Sequence, residues 1–242
     1  MGRFSSKRII VTGGTSGIGL AGAERLAAEG AEVFITGRKE PTSGRLSDSV
    51  HFVRNDATDP DAGKELLQAL PDEGGFDGLW LNAGFAEVAP LSEIDAVFFD
   101  RMMHTNVRGP VLQMSALCDR LNDDASVVVT SSTAIHEGSP NASIYAATKG
   151  ALVSLCRCWA SALGPRGIRV NALVPGAIAT GFRDFMPKDF RSAFEADVVG
   201  RTVLGRVGAP GDAAAVALFL LSDEAAYVTG SQYLVDGGLT MA

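Results

Sequence analysis

Short apolar segments of strand length alternate with amphipathic segments of helical length along the whole 242-residue chain. Several apolar segments are continuous and rich in β-branched residues, as in Ser126-Val127-Val128-Val129-Thr130, which is typical of strands covered on both faces. This alternation predicts a parallel sheet with right-handed crossovers and helices on both faces. The predicted strands are residues 8–12, 32–36, 51–54, 78–81, 126–131, 169–173 and 232–235.

The predicted helices are residues 18–29, 61–70, 94–121, 142–163 and 211–221. No repeat, charge block or low-complexity linker divides the chain. We therefore predict one α/β domain over residues 1–242, a Rossmann-type, doubly wound parallel sheet of about seven strands.

Two segments interrupt the regular pattern. Pro41, Ser43 and Gly44 fall where the second crossover helix belongs, so residues 39–49 have room for only about one turn of helix. Residues 181–208 are rich in Phe, Arg and Gly, and a long excursion of this kind predicts a substrate loop over the sheet edge.

Composition excludes several classes of protein. Acidic residues outnumber basic ones by 28 to 21, and the net charge of −7 disfavours nucleic acid and anionic membranes as partners. Three cysteines and three histidines without metal-ligand spacing predict neither a disulfide framework nor a metal site. The apolar run after the amino terminus is too short for a signal peptide or a membrane span, so we expect a cytoplasmic protein.

A glycine-rich turn follows the first predicted strand and precedes a helix. It reads Thr12-Gly13-Gly14-Thr15-Ser16-Gly17-Ile18-Gly19. Glycine allows tight dihedrals and close backbone approach to a pyrophosphate, and the following helix directs its positive end at the anion. A purely structural glycine turn is the alternative. The predicted cofactor-binding residues here are Gly13, Thr15, Ser16, Gly17, Ile18 and Gly19.

The ends of the second and third strands bear on the choice of cofactor. A carboxylate about 20 residues after the glycine turn would favour NAD, but Thr36-Gly37-Arg38 stands there instead. The planar fork of Arg38 suits a 2′-phosphate, so NADP(H) is favoured and NAD(H) is the alternative. For Arg38 the alternative is a solvated charge after a strand. Asp56, followed by Ala57, is predicted to hold the adenine amino group, and a helix cap at Thr58 or Asp59 is an equally plain alternative.

Tyr145 and Lys149 are four residues apart in a helical pattern and therefore share one face. A tyrosine of pKa ~10 is a poor proton donor or acceptor near neutral pH. An ammonium about 5 Å away is worth roughly 3 kcal/mol, which predicts a tyrosine pKa about two units lower. Ser132, at the end of the fifth strand, could hydrogen-bond the same substrate oxygen. A surface helix that happens to carry Tyr and Lys is the alternative.

Together with further motifs, these residues resemble the short-chain dehydrogenase/reductase family over about 230 residues. Each motif is weak alone, but six in the same order are specific. They are Thr12-Gly13-(x3)-Gly17-x-Gly19, Asn82-Ala83-Gly84, Asn106 in Thr105-Asn106-Val107-Arg108-Gly109, Ser132 with Tyr145-(x3)-Lys149, Pro175-Gly176-Ala177-Ile178-Ala179-Thr180, and Val235-Asp236-Gly237-Gly238.

The resemblance implies roles for these residues. Tyr145 would be the catalytic acid-base, Lys149 would bind the nicotinamide ribose and lower the tyrosine pKa, and Ser132 would orient the substrate oxygen. Asn106 would hold a water that links Lys149 to solvent. The remaining residues implied to line the cofactor groove are Asn82, Ala83, Gly84, Pro175, Gly176, Ile178 and Thr180.

The resemblance also implies a tetramer, or a dimer, built through the helices that carry Asn106 and Tyr145. Apolar residues beyond one stripe per helix favour such a partner, unless they all face the chain's own core. They are Val111, Leu112 and Leu117 on the first helix and Leu152, Leu155 and Trp159 on the second.

The predicted activity is hydride transfer between a nicotinamide cofactor and a carbonyl or secondary alcohol. A dinucleotide-binding redox sensor without turnover is the alternative, but it would be expected to lack Tyr145 or Lys149. A halohydrin dehalogenase-like lyase is disfavoured by Lys149 and by the intact glycine turn. The sequence leaves the small-molecule substrate open, with His136 as a candidate contact and Phe85, Phe182 and Phe185 as candidate pocket walls.

Overall fold

The computed structural model describes residues 2–41, 46–183 and 188–241. The strands are β1 (Arg8–Val11), β2 (Glu32–Gly37), β3 (Val50–Arg54), β4 (Phe76–Leu81), β5 (Leu121–Thr130), β6 (Arg169–Pro175) and β7 (Gln232–Val235). All pairings are parallel, in the order β3-β2-β1-β4-β5-β6-β7. The predicted doubly wound parallel sheet is confirmed, and the strand order reverses between β1 and β4, where such sheets bind ligands. The single-domain organisation stays a prediction.

Helices cover both faces of the sheet, as predicted. They are α1 (Gly17–Ala28), α2 (Ala62–Ala69), α3 (Ala96–Met103), α4 (Gly109–Leu117), α5 (Ala134–Glu137), α6 (Ser143–Leu163), α7 (Lys188–Arg201) and α8 (Pro210–Leu221). One apolar core joins α2, α4 and α6 to the sheet, and a second joins α1 and α8 to its other face. No helix in the described part of the chain is long and apolar enough to cross a bilayer.

The helix predicted over residues 94–121 is observed as one helical run over residues 96–120, but its geometry is not α-helical throughout. A π-helical segment, His104–Arg108, separates α3 from α4, and β5 begins at Leu121 rather than at Ser126. Pro110 contributes to this change of helical geometry, because it has no N–H to offer the carbonyl of Asn106 four residues earlier. The Asn106 carbonyl therefore lacks its usual α-helical partner.

The two irregular segments are only partly described. Residues 42–45 lie outside the described residues, and the described parts of 39–49 contain no helix. The 181–208 excursion contains a 3₁₀ turn, Gly181–Arg183, and α7. Its base is closed by two backbone hydrogen bonds, Ala179 N–H to the Gly208 carbonyl (2.7 Å) and Gly208 N–H to the Ala177 carbonyl (2.9 Å). Phe185 lies outside the described residues.

The apolar residues that suggested a second partner mostly face the chain's own core. Leu117 and Leu152 are fully buried in it, and Leu155 and Trp159 pack against it. Val111 and Leu112 are partly buried. These six residues therefore give little support to an assembly, which stays a prediction from the family resemblance.

Candidate active site

A groove of about 590 Å³ runs along the carboxyl edge of the sheet and crosses the switch point between β1 and β4. It joins all the predicted site residues except Gly19 and Asn106, which lie directly behind its wall. We call one extremity the β3 end, lined by Arg38, Asn55, Asp56, Ala57, Thr58 and Gln113. We call the other the β5 end, lined by Gly84, Phe85, Arg101, Thr105, Ser132, Tyr145, Lys149 and Phe182.

The glycine turn forms the floor of the groove between these ends. Gly13 has a φ of +65°, and a Cβ there would lie 2.8 Å from the Ala83 Cα, so only glycine fits. α1 begins at Gly17 after Ser16, whose side chain makes no capping hydrogen bond. The first-turn N–H groups of α1 are therefore available to an anion in the groove.

The Asn82 side chain is held by the sheet core. Trp80 Nε1–H donates to Thr130 Oγ1 (2.9 Å), Thr130 Oγ1–H donates to Asn82 Oδ1 (3.1 Å), and Asn82 Nδ2 donates to the Gly13 carbonyl (3.3 Å). Thr12 Oγ1 accepts the backbone N–H groups of Asn82 and Ala83. Sequence reasoning missed the roles of Trp80 and Thr130, because the three strands involved meet only in the folded sheet.

At the β3 end the charged groups remain accessible. Arg38 is exposed and has no hydrogen-bond partner among the described residues. Asp56 Oδ1 accepts hydrogen bonds from the Thr58 N–H (3.0 Å) and hydroxyl (2.8 Å), and the backbone bond is the main reason that the Asp56 pKa lies below its ordinary value. Arg38 and Arg54 lower it further. The carboxylate thus serves a local turn and stays ionised.

Two buried amides behind the β3 end were also missed. Asn55 Nδ2 donates to the Ala62 carbonyl (2.9 Å), and Gln113 Nε2 donates to Asn55 Oδ1 (2.8 Å). These bonds tie α4 to the turn after β3. Gln113 Oε1 is buried and has no partner within the described residues. No local pattern relates residues 58 positions apart, so the sequence carried no signal for this pair.

At the β5 end the Ser132 hydroxyl has one fixed partner. Its oxygen accepts the Ala134 backbone N–H (3.2 Å) at the start of α5. A hydroxyl has one proton to donate, and that proton is not used in this bond. Hydrogen bonding from Ser132 lowers the Tyr145 pKa, so the two hydroxyl groups lie within reach of each other.

Burial controls the protonation of Tyr145. Part of the ring faces the groove, but the surrounding protein raises the tyrosine pKa to about 12. The negative charge of Glu137 also raises it, and the hydrogen bond with Ser132 opposes both effects. The predicted lowering of this pKa is therefore wrong for the chain without a ligand, because the expectation counted a nearby ammonium and omitted the loss of solvent.

Lys149 lies on the same face of α6 as Tyr145, as predicted. Its Nζ is 5.8 Å from the Tyr145 ring centroid and donates to the Thr130 carbonyl (3.0 Å). The side chain is 3% exposed, and burial lowers the Lys149 pKa to about 8. At neutral pH the ammonium therefore remains the main form.

The Asn106 side chain is fully engaged. Its Oδ1 accepts the Phe85 N–H (3.0 Å), while its Nδ2 donates to the Phe85 carbonyl (2.9 Å) and to Thr148 Oγ1 (3.2 Å). The π-helical segment brings this amide to the end of β4. Any water bound by Asn106 would therefore contact its backbone carbonyl, which Pro110 leaves without the usual partner.

No group of three His, Cys, Asp or Glu within residues 2–41, 46–183 and 188–241 could hold a metal ion. His136 is exposed on α5, and it is not among the groove-lining residues described. Phe85 and Phe182 do line the groove. The titratable groups that meet at its β5 end are thus a phenol, an ammonium and an ion pair between Arg101 and Glu87.

Comparison with known proteins agrees with this geometry. A family model described as enoyl-(acyl carrier protein) reductase matches residues 13–240. The L-rhamnose 1-dehydrogenase (NAD(P)(+)) of Azotobacter vinelandii is 35% identical over an alignment of 249 positions that covers 96% of each chain.

Two solved structures have the same fold. One, described as a short chain dehydrogenase/reductase family protein, is 36% identical with a TM-score of 0.87, covering 99% of this chain and 100% of the other. A second, a blue fluorescent protein from a metagenomic library in complex with NADPH, is 31% identical with a TM-score of 0.87 over 98% and 99% of the two chains. This chain therefore belongs to the short-chain dehydrogenase/reductase family, and it is an oxidoreductase.

Proposed function

We propose that the protein is an NADP(H)-dependent oxidoreductase that interconverts a carbonyl compound and a secondary alcohol, with Tyr145 as the acid-base. The observation that carries this proposal is the continuous groove that leads from Arg38 to the phenol and ammonium of Tyr145 and Lys149. One elongated ligand can occupy both ends of such a groove.

The residues along the groove fit a dinucleotide. The turn at Gly13 forms a cradle that a Cβ would fill, and the uncapped first turn of α1 offers N–H groups to a pyrophosphate. Thr15, Ser16, Ile18 and Gly19 complete this turn, and Asp56 and Ala57 lie where an adenine would bind. Asn82, Ala83 and Gly84 line the middle of the groove. The residues proposed to hold the carboxamide end are Pro175, Gly176, Ile178 and Thr180.

The preference for NADP(H) rests on charge. Arg38 is exposed and unpaired just after β2. The neighbouring position 37 is a glycine, so no carboxylate there would repel a 2′-phosphate. A guanidinium can bind a 2′-phosphate through two parallel hydrogen bonds. Two relatives are compatible with this cofactor: the L-rhamnose 1-dehydrogenase is named for NAD(P)(+), and the blue fluorescent protein was solved in complex with NADPH.

Two side chains, Ser132 and Tyr145, would contact the substrate oxygen. The Ser132 oxygen accepts from Ala134, so its proton is kept for donation, and a bound substrate oxygen would replace the Tyr145 phenol as its acceptor. In reduction the Tyr145 O–H donates its proton to that oxygen, and in oxidation the phenolate removes the alcohol proton. The pKa of about 12 keeps Tyr145 protonated at neutral pH, which suits the donor role. When bound, the nicotinamide supplies or accepts the hydride.

Lys149 would act on Tyr145 through charge. Its ammonium stabilises the phenolate, and the Thr130 carbonyl holds it in place. The remaining donors of the ammonium would bind the ribose beside the nicotinamide. Asn106 would position this centre, since its side chain ties Phe85 to α6 through Thr148.

Initial rates test the proposal directly. Purified protein is assayed with NADPH and with NADH against neutral ketones, and with NADP⁺ and NAD⁺ against the matching alcohols. We expect turnover with a preference for NADPH and NADP⁺. Absence of turnover with either cofactor, despite tight NADPH binding, would support a dinucleotide sensor instead. A preference for NADH would leave the dehydrogenase assignment intact and overturn the cofactor assignment. The cytoplasmic location and the tetramer stay predictions.

A further inference from the structure

Thr130 serves two parts of the groove through two different groups. It lies at the end of β5, and the residue is buried. Its backbone carbonyl accepts a hydrogen bond from the Lys149 ammonium (3.0 Å), whereas its hydroxyl oxygen accepts one from Trp80 Nε1–H (2.9 Å). Every residue type has the carbonyl, but only a few have the hydroxyl. A substitution at this position can therefore remove the hydroxyl and keep the acceptor for Lys149.

The hydrogen bonds that pass through the Thr130 hydroxyl run in one direction. An indole N–H can only donate, and Trp80 is fully buried, so its N–H needs the Thr130 oxygen as its acceptor. The single hydroxyl proton is then left for Asn82 Oδ1 (3.1 Å). With Oδ1 engaged in this way, the Asn82 amide presents its N–H to the Gly13 carbonyl (3.3 Å), which can only accept. A donor at one end and an acceptor at the other therefore fix how Asn82 is oriented.

The Gly13 carbonyl is the group that this orientation controls. A Cβ on Gly19 would lie 2.4 Å from the Gly13 oxygen and 2.7 Å from Asn82 Nδ2, so their hydrogen bond lies against the first turn of α1, behind the groove wall. Glycine at a φ of +65° has more conformational freedom than other residues. A phosphate site must present N–H groups, and a carbonyl turned into the groove would repel the anion. The bond to Asn82 holds the carbonyl away from that position.

We propose that Thr130 is a positioning residue for the bound dinucleotide, because its hydroxyl orients the Asn82 amide and so keeps the Gly13 carbonyl away from the pyrophosphate. This inference rests on the proposed function, which places a dinucleotide in the groove. The Asn82 backbone is held separately, since Thr12 Oγ1 accepts its N–H (3.0 Å). Losing the Thr130 hydroxyl should therefore loosen the amide without moving the end of β4.

Thr130→Val tests the hydroxyl. Valine has nearly the same shape and cannot donate to Asn82 Oδ1, so the dissociation constant of NADPH, measured by calorimetry, should rise about three- to tenfold, as expected for one hydrogen bond. The KM for NADPH should rise with it, while kcat at saturating NADPH stays near the wild-type value because the carbonyl still holds Lys149. Thr130→Ser keeps the hydroxyl and should bind NADPH nearly as tightly as the wild type. Equal losses of affinity in both variants, or no loss in either, would overturn the proposal.

A control variant and a smaller ligand separate this role from general damage to the sheet. Ser126→Ala removes a buried hydroxyl from the same strand, one that donates to the Leu220 carbonyl (2.8 Å) outside the groove lining, and it should leave NADPH affinity unchanged. 2′-AMP carries the adenosine and the 2′-phosphate but no pyrophosphate, so Thr130→Val should bind it as tightly as the wild type. If Ser126→Ala loses as much NADPH affinity as Thr130→Val, or if 2′-AMP binding weakens equally, the whole strand is disturbed and the proposal is wrong.

Trp80→Phe combined with Thr130→Val removes the indole donor that valine leaves unpaired. The double variant should show the same loss of NADPH affinity as Thr130→Val, since the hydroxyl is absent from both. Recovery of affinity in the double variant would mean that the unpaired indole causes the loss rather than the freed Asn82 amide, which would also overturn the proposal.

These affinities are measured without turnover, so they separate this inference from the proposed function. If the unmodified protein binds NADPH but reduces no ketone, the proposed carbonyl–alcohol activity fails, and the affinities still decide the role of Thr130. If it binds neither NADPH nor NADH, both proposals are overturned.

Discussion

The two ends of the groove treat charge in opposite ways. At the β3 end, Arg38 is exposed and unpaired, and Asp56 keeps a lowered pKa through hydrogen bonds. At the β5 end, Tyr145 and Lys149 are shifted towards their neutral forms by burial. A site that binds a preformed anion benefits from a permanent, accessible charge, whereas a proton donor must keep its proton at neutral pH until the substrate takes it.

This contrast predicts which kinetic quantity each end controls. Changes at the β5 end should act on turnover and its pH dependence with little effect on cofactor affinity, except at Lys149, which serves both. Changes at the β3 end should act on cofactor affinity and leave the chemical step alone. A substitution at one end that moves the quantity assigned to the other would break the comparison.

Tyr145→Phe carries the largest expected effect. It removes the transferable proton and keeps the ring, so turnover should fall about 10²- to 10⁴-fold, the usual size of general acid-base catalysis. NADPH affinity, measured by fluorescence titration, should stay within a few-fold. Tyr227→Phe, at a fully exposed tyrosine, is the control and should change neither quantity. More than a tenth of the original turnover in Tyr145→Phe would remove this residue from the central role.

Lys149→Met tests the buried ammonium. Turnover should fall about 100-fold. Because the folded-state pKa of about 8 lies below the ordinary 10.5, the unfolded chain binds more protons between these values, and Lys149 makes stability rise with pH across that window. Lys149→Met should lack this rise in urea unfolding measured from pH 8 to 10.

Cys156 and Tyr145 also titrate near this pH range. Comparing the variant with the wild type isolates the contribution of Lys149 to the pH dependence of stability. The Cys156 pKa is raised to about 11 from 9, so its contribution to stability falls with pH, but it does so in both proteins and cancels. Tyr145, raised to about 12 from 10, lowers stability mainly above pH 10. Lys64→Met, at an exposed lysine of α2, is the control and should keep the wild-type slope. Identical slopes in Lys149→Met and the wild type would contradict the buried ammonium.

Arg38→Leu tests the β3 end. Losing a charge-assisted contact of about 1.5–3 kcal/mol should weaken NADPH binding about 10- to 150-fold. NADH binding and turnover at saturating NADPH should change little. Arg54→Leu is the control, because Arg54 also acts on Asp56 but does not line the groove. Equal losses of affinity for NADPH and NADH would mean that Arg38 does not act by binding the 2′-phosphate.

Gly37→Asp, which would add a carboxylate at the end of β2, is a less specific test of cofactor preference. A Cβ on Gly37 would lie 2.6 Å from the Thr15 side chain, inside the glycine turn. Gly37→Asp would therefore move Thr15 as well as add a carboxylate, so weaker NADPH binding would have two causes. Removing the guanidinium of Arg38 is the sharper test of cofactor preference.

The features that the sequence predicted well are local or periodic. All seven strands and the glycine turn follow from patterns a few residues long, and Tyr145 and Lys149 share a face because of helical spacing. The sequence does not predict strand at residues 122–124, because Asn122-Asp123-Asp124 is polar and lacks the apolar pattern of a buried strand. β5 nevertheless includes them, extending back to the pairing of Leu121 with Phe76.

The features that it missed depend on contacts between distant residues. Apolar periodicity continues through residues 94–117 and gives no sign of the π-helical segment, so Pro110 alone could not have located it. The segment coincides with the bonds of Asn106 to Phe85 and Thr148. The direction of the Tyr145 pKa shift was missed for a related reason. Spacing places a charge near the phenol, but only the packed structure reveals how much solvent has been removed.

Gln113→Leu gives the smallest expected effect and tests whether the β3 end needs its buried support. Leucine removes the bond to Asn55 Oδ1 and leaves that oxygen unpaired, but it also removes the unpaired Gln113 Oε1. One unpaired acceptor replaces another, so the free energy of unfolding should change by less than about 1 kcal/mol. Asn55, however, loses its tie to α4, and the turn that carries Asp56 becomes less well positioned.

NADPH should therefore bind about two- to tenfold more weakly to Gln113→Leu, since one neutral hydrogen bond contributes about 0.5–1.5 kcal/mol. Turnover at saturating NADPH should stay unchanged. Gln68→Leu makes the same substitution at an exposed position near the end of α2 and should affect neither quantity. A large loss of stability would mean that the Asn55–Gln113 hydrogen bond stabilises the folded core rather than the cofactor site. A fall in saturated turnover would mean that α4 couples the two ends, because the same helix follows the segment that carries Asn106.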